Sequence, residues 1–516
     1  MSSHKHVTKA AGIVGLSTVV TRVLGFIRDM VIALAFGAGM EADAYFVAFR
    51  IPSMLRRLVG EGALTVAFIP VFVEEHQQSE ERAWALSHTV TTLLALFLIG
   101  LSLAGVVLMP FIVRGLAPGF QEIPEKFELT VYLTRITFPY ILFISLAALA
   151  MGILNSLHHF LAPALAPIML NLSLIGSVFF ICPHLEQPVV GLAIGVLVGG
   201  ITQLAFQIPA LTRQGFHYRP SFDYHNPAVR KIGMLLLPAF FGLAVNQISV
   251  FVNTLLASYL PEGSVSYLYF ADRVMEFPLG IFGIAIATAV LPTMSLQSAK
   301  GAYDELMDTL SFALRLVLFI TIPSAVGLIV LRRPIVTFLF ERGKFTAIDS
   351  EATAMALLYY TLGLSAIASV RIIVPVFYSL KDTLTPVKCA AVSVGINILC
   401  SLLLMKPLQH GGLALATTIS AFFNLSLLIW LLRKRFGKMN WRNIGLATGK
   451  VCAASAVMGL CCAPFTTLAL QRAWFLGAAI VVGIGVFVVC AWLIKSQELL
   501  FLYDMLVKRH SSATLQ

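Results

Sequence analysis

About fourteen apolar stretches follow one another along this chain. Each is long enough to cross a hydrocarbon layer of roughly 30 Å. They lie near 8–36, 42–73, 84–112, 127–154, 160–182, 188–212, 232–259, 264–295, 305–331, 350–377, 386–406, 411–432, 444–468 and 473–499. Short polar segments separate them. Inside lipid a backbone must satisfy its own N–H and C=O groups, so apolar stretches of this length predict helices. The predicted class is an all-α polytopic membrane protein. The first stretch does not read as a cleaved signal, because Arg22 and Arg28 interrupt it and it outruns an h-region.

The polar separators set an orientation. With the N-terminus inside, the inner segments carry about 18 Lys and Arg and the outer ones about 8. The positive-inside rule then places both termini in the cytoplasm. The outer segment from Arg332 to Lys344 is basic against that trend.

The pattern also repeats. Ser156-Leu157-His158-His159-Phe160-Leu161-Ala162-Pro163 pairs with Ser379-Leu380-Lys381-Asp382-Thr383-Leu384-Thr385-Pro386 at a shift of 223. Tyr45, Ala63, Ala67 and Pro70 pair with Tyr267, Ala285, Ala289 and Pro292 at 222, and Gly191-Leu192-Ala193 with Gly412-Leu413-Ala414 at 221. Three shifts within two residues imply duplication of a six-span unit. An even number of spans returns the chain to its starting side, so the copies are expected to be parallel, with a central cavity between two six-helix lobes. The expected division is 1–216 for the first lobe, 217–436 for the second, and 437–516 for two extra helices and a tail.

Composition agrees. Of 516 residues 58% are hydrophobic and 12% charged, with a mean hydropathy of +0.88. Too little polar surface remains to solvate a chain of this length, and disorder is excluded. The seven cysteines are too few for a disulfide scaffold, and most sit within apolar runs. The net charge of +11 reads as cytoplasmic loop charge, with no nucleic-acid partner.

Ionisable groups within spans are costly, roughly 2.5–3.5 kcal/mol each at the bilayer centre, and so mark candidate sites. The first stretch holds Arg22, Arg28 and Asp29; the second holds Asp43, Arg50, Arg56, Arg57 and Glu61; the eighth holds Asp272, Arg273 and Glu276. Arg135 and Arg371 stand more alone. Arg22 and Arg28 are six apart, off a single helical face, and Gly25 between them permits a break that turns both inward. Asp272 and Glu276, at i and i+4, share a face. The repeat keeps the scaffold but not these charges, since Arg22 maps to Ala244 and Arg28 to Val250. Guanidinium groups in a low-dielectric cavity select an anion, and phosphate accepts two parallel hydrogen bonds from one Arg. The same residues fit snorkelling to headgroups, or ion pairs that lock helices together.

No enzyme constellation is present, and no metal or cofactor site is expected. Gly445-Leu446-Ala447-Thr448-Gly449-Lys450 falls one residue short of a P-loop and lacks the following Ser or Thr. His158-His159 has no partners for zinc.

Residues 21–29 (Thr-Arg-Val-Leu-Gly-Phe-Ile-Arg-Asp), 36–50, 55–63, 269–278 (Tyr-Phe-Ala-Asp-Arg-Val-Met-Glu-Phe-Pro), 340–346 and 377–388 resemble the MurJ/MviN family of the MOP exporter superfamily. The resemblance covers essentially the whole chain. It implies a lipid II flippase of a bacterial inner membrane, carrying the undecaprenyl-pyrophosphate-linked peptidoglycan precursor to the outer leaflet by alternating access. It places the family's substrate-binding arginines on Arg22, Arg28, Arg273 and Arg56. Acidic motif positions fall on Asp29, Asp43 and Glu61, with gating or ion-pair roles that extend to Asp272 and Glu276. It implies a lipid-tail groove at the two extra helices, with membrane lipids as neighbours; the inner loops at 213–231 and 433–443 are the candidate docking segments for cell-wall synthesis proteins. The sodium-binding carboxylate of some relatives on the seventh span has no counterpart, since 232–259 contain no Asp or Glu, only Asn246 and Asn253. An inside-negative potential is then the expected drive, about 2.3 kcal/mol per charge per 100 mV. Export of another polyprenyl-linked glycan or amphiphile on the same fold, and a membrane scaffold for cell-wall synthesis, are the alternatives.

Overall fold

A computed structural model describes residues 2–58, 64–280, 284–437, 441–472 and 474–501. Among them every regular element is a helix. By contacts the chain divides into two compact units, Met1–Ser266 with Arg342–Phe345, and Tyr267–Glu341 with Thr346–Gln516.

The first unit contains α1 (Ser2–Phe36), α2 (Met40–Leu55), α3 (Leu64–Gln78), α4 (Glu80–Leu116), α5 (Pro124–Thr137), α6 (Tyr140–Ser156), α7 (Leu161–Phe180), α8 (Val189–Arg213) and α9 (Pro227–Ser258). Its core joins Phe68 and Phe72 of α3, Leu86 of α4, Ile153 of α6, Leu211 of α8 and Ile232 of α9. The closest packing is between α7 and α8. Gly191, Gly195 and Gly199 recur every fourth residue on α8 and face Cys182, Ser177 and Leu170. A Cβ at Gly199 would stand 2.5 Å from Leu170 Cδ1. Small residues at this spacing let two helices approach where no hydrophobic force separates protein from lipid.

The second unit holds nearly all of α10 (Ser264–Pro278), then α11 (Ile284–Ala299), α12 (Tyr303–Phe340), α13 (Ala347–Leu362), α14 (Leu364–Ser379), α15 (Leu384–Phe436), α16 (Trp441–Cys462), α17 (Phe465–Gln471) and α18 (Trp474–Leu493). Its core packs α16 and α18 on α12 through Phe319, Met458, Ala479 and Phe487. Helix α15 is a hairpin of two helices. Gln409 turns at φ 48, and Asn397 Nδ2 lies 3.4 Å from Thr417 Oγ1, a separation no straight helix allows.

Eight helices among the described residues are long and apolar enough to cross a membrane, or nine when α13 and α14, bent by 43°, count as one span. Their outward faces are apolar. On α4, Leu103, Val107 and Phe111 are each about two-thirds exposed at i, i+4, i+8 spacing, a surface suited to lipid and not to water.

The duplication is visible in the backbone. The order from α1 to α8 recurs from α9 onward, with the two halves of α15 in the places of α7 and α8. His158 and Lys381, 223 residues apart, both take φ 59. Wide π-type turns fall at 56–58 and 279–280, again 223 apart at their first residues. The repeat period and the packing boundary differ at one helix. α9 heads the second copy by order, yet it packs on α3 and α4 of the first unit. Lys231 pairs with Glu74 near one end of it, and Ser258 accepts from Gly119 N–H at the other.

One sequence expectation differs from the structure. α1 runs unbroken through Gly25, because no neighbouring atom lies within 4 Å of that position and nothing demands a bend. Residues 445–450, which fall short of a P-loop by sequence, are interior helix in α16, and their N–H groups are spent on the helix.

Candidate functional site

In the first unit the charges of α1 are drawn to α7. Arg28 donates from Nε and Nη2 to Asp29 Oδ1 at 2.9 and 2.7 Å. Its Nη1 donates to Asn171 Oδ1 at 3.0 Å, and Asn171 Nδ2 donates to the Thr21 carbonyl at 3.2 Å. Arg28 is 8% and Asp29 1% exposed. Burial at this depth makes pairing obligatory, since an isolated charge there costs several kcal/mol. Arg22, one turn and a half earlier, is half-buried and has no ion-pair partner among the described residues.

The second constellation gathers around Asp43 on α2. Its Oδ2 accepts from Lys126 Nζ and from Gly263 N–H, both at 2.8 Å. Its Oδ1 accepts from Ser266 N–H at 2.9 Å and Ser266 Oγ at 2.7 Å. Every lone-pair direction of a buried carboxylate is thus served. The Lys126 ammonium also lies 4.2 Å from the Phe120 ring centroid. Beside it Glu262 accepts from Met40 N–H at 2.6 Å, at the first turn of α2. Lys126 and Glu262 were not singled out by sequence. Lys126 looks like a loop cation two residues after Pro124, and only its acidic counterpart Asp349, one repeat later, hints otherwise.

In the second unit Arg273 on α10 pairs with Glu276 at 3.1 Å and stacks over Tyr269 at 5.0 Å. Both charged side chains are about one-third exposed. Asp272, on the same face as Glu276, is half-buried. Arg56 sits half-buried in the π-type turn after α2. Glu61 lies outside the described residues. Among the described residues no group of three His, Cys, Asp or Glu is placed to hold a metal ion.

A family model described as lipid II flippase MurJ matches residues 32–484. The chain belongs to the lipid II flippase MurJ family. A probable lipid II flippase MurJ of Vibrio cholerae is 40% identical over 432 residues, covering 82% of each chain. The lipid II flippase MurJ of Burkholderia cenocepacia is 38% identical over 423 residues, covering 81% of this chain and 82% of that one. Among solved structures, a lipid II flippase MurJ in an inward closed conformation superposes with a TM-score of 0.78 at 28% identity, over 93% of this chain and 98% of that one. An inward-facing MATE family transporter of the MOP superfamily shares the fold, with a TM-score of 0.65 at 16% identity, over 80% of this chain and 94% of that one. The MurJ match takes in α2 to α17 and most of α18, and it contains Asp43, Arg56, Lys126 and Arg273. Arg22, Arg28 and Asp29 lie just ahead of it.

Proposed function

We propose that this chain is a lipid II flippase of the bacterial cytoplasmic membrane, with both termini in the cytoplasm. It moves the undecaprenyl-pyrophosphate-linked peptidoglycan precursor from the inner to the outer leaflet by alternating access. The observation that carries the reading is Arg22: a half-buried guanidinium, within a family of lipid II flippases, with no acid paired to it among the described residues. A pyrophosphate supplies the missing anion in bidentate geometry.

Arg22, Arg28, Arg56 and Arg273 are the proposed substrate cations. Arg28 is held by Asp29 in this state and exchanges that partner for phosphate on loading. The Arg273–Glu276 pair is part-exposed, so its loss costs little and leaves Arg273 open to a stronger anion. Asp43 is the proposed gating acid, with Glu61, Asp272 and Glu276 as further acids of the cycle. The polyprenyl tail lies along the lipid-exposed faces of α16 and α18, which present Leu460, Val481 and Ile484. An inside-negative potential assists export of the anionic headgroup. Cell-wall synthesis proteins are the proposed partners.

Reconstituted vesicles loaded with lipid II test the reading. The expected result is protein-dependent arrival of lipid II in the opposite leaflet, faster under an inside-negative potential and lost in Arg22→Ala. Equal transfer by wild type and Arg22→Ala, or none by either, overturns it.

A further inference from the structure

A groove of about 400 Å³ opens in the second unit between α12, α13, α14, α15 and α16. Its wall is apolar: Leu318, Phe422 and Ile429 are typical of it. The stripe it occupies on α16 runs from Trp441 to Cys452, and that on α12 from Leu314 to Ile329. At 1.5 Å per residue these are about 16 and 22 Å long, close to the depth of one leaflet.

Ser365, Ser369 and Thr448 also line the groove, and two of its polar groups are buried without a partner. The Thr361 hydroxyl is fully buried and unpartnered at its wall. The Trp441 indole N–H is likewise buried without an acceptor. An orphaned buried donor costs about 1–3 kcal/mol, so native positions of this kind are normally filled by a ligand or water. The donor sits at the basic end of the groove. On α15 the lining positions Phe422, Leu425 and Ile429 continue at helical spacing to Arg433. On α16 Arg442 follows Trp441. Both arginines are exposed, and neither has an ion-pair partner among the described residues. Arg435 and Lys434 beside them are engaged, by Asp382 and by the Trp430 ring. Asp304, Glu305 and Asp308 on the first turns of α12 reach neither arginine.

We infer that this groove is a binding site for an acidic phospholipid of the adjoining leaflet. One acyl chain fills the apolar stripe, the glycerol ester accepts from Trp441, and the phosphate meets Arg433 and Arg442. Charge complementarity selects the headgroup, since an apolar groove alone would take any lipid chain. The site lies beside the tail path proposed on the outer faces of α16 and α18, and does not depend on it.

Native mass spectrometry of the purified full-length chain with dioleoyl phosphatidylglycerol or dioleoyl phosphatidylcholine tests the site. Wild type retains one phosphatidylglycerol in preference to phosphatidylcholine. Arg433→Ala with Arg442→Ala lowers that affinity about 30-fold, as expected for two surface cations. Thr448→Trp, which fills the groove without changing charge, removes the bound lipid while the melting temperature in detergent is kept. Equal retention of the two lipids, undiminished binding in both variants, or displacement of phosphatidylglycerol by an equimolar amount of undecaprenyl phosphate overturns the assignment.

Discussion

Lys126 Nζ lies 2.8 Å from Asp43 Oδ2, with the lysine side chain 3% and the aspartate 1% exposed. One repeat later the same two helices of the second copy meet differently, for Tyr267 donates to Asp349 at 2.9 Å. The scaffold contact is kept, while its chemistry changes from an ion pair to a neutral donor on a carboxylate. Removing one member of a buried pair strands the other charge, at about 3–5 kcal/mol. Lys126→Met is therefore expected to lower the melting temperature in detergent far more than Asp43→Asn does. Asp43→Asn keeps an acceptor for Ser266. The double variant Lys126→Met, Asp43→Asn is expected to recover much of the loss. Thermal unfolding of the four proteins gives the cycle, and additive losses would show that the pair is not coupled.

The Arg28 cluster separates holding from binding. Asn171 joins α7 to α1 through a charged donor and a carbonyl, and a hydrogen bond to a charged group contributes about 1.5–3 kcal/mol. Asn171→Ala is expected to destabilise by that order, and Asp29→Ala by more, since Arg28 then remains buried without its acid. Denaturant or thermal unfolding reads the order. Arg22→Ala is the contrast. With no acid paired to it among the described residues, it is expected to keep wild-type stability while losing lipid II export, and Arg22→Lys to restore export only in part because ammonium lacks the bidentate fork.

Much of this was legible in the sequence. Residue-scale hydropathy gave the helix positions, because lipid imposes a single requirement on long segments. The repeat was legible at His158 and Lys381, where the left-handed residue had to recur with the turn it makes. Breaks inside spans were not legible. The second stretch, 42–73, divides into α2 and α3, and the eighth into α10 and α11, at wide turns with no single sequence marker. The packing of α9 was hidden too, because Glu74 with Lys231 and Gly119 with Ser258 join residues more than 130 positions apart. At the candidate site the charges were visible, but their partners were not. Lys126 and Asn171 belong to types that are usually solvated, and only tertiary contact makes them part of a buried cluster.

The α7–α8 contact makes a steric prediction. At Gly195 a Cβ would collide with the Ser177 side chain, and at Gly191 it would lie 2.5 Å from Cys182 Sγ. Overpacking of this kind costs about 1–3 kcal/mol for modest insertions. Gly195→Leu is expected to lower the melting temperature clearly. Gly100→Leu, on a helix where nothing lies within 4 Å, is expected to leave it close to wild type. Expression level and thermal unfolding in detergent distinguish the two positions. Equal effects would mean that glycine at 195 serves no packing role.

Asp382 provides a pH test in a loop outside the membrane. Partial burial works to raise its pKa, but hydrogen bonds from the Thr385 backbone and hydroxyl, with Arg435 at 3.0 Å, outweigh it and hold the carboxyl below its ordinary value. A folded-state pKa lower than the unfolded one means that the charged form stabilises the fold. That contribution is complete above the unfolded carboxylate value of about 3.9 and is lost as pH falls through the folded value. The side chain is about a quarter exposed and the partner arginine nearly half, so the effect is modest after solvent screening. Asp382→Asn keeps the cap on Thr385 but removes the charge. It is expected to melt slightly below wild type at neutral pH, with the difference shrinking toward zero as the pH is lowered past 4. A gap that stays constant across that range would show that the charge of Asp382, and so its ion pair with Arg435, contributes nothing to stability.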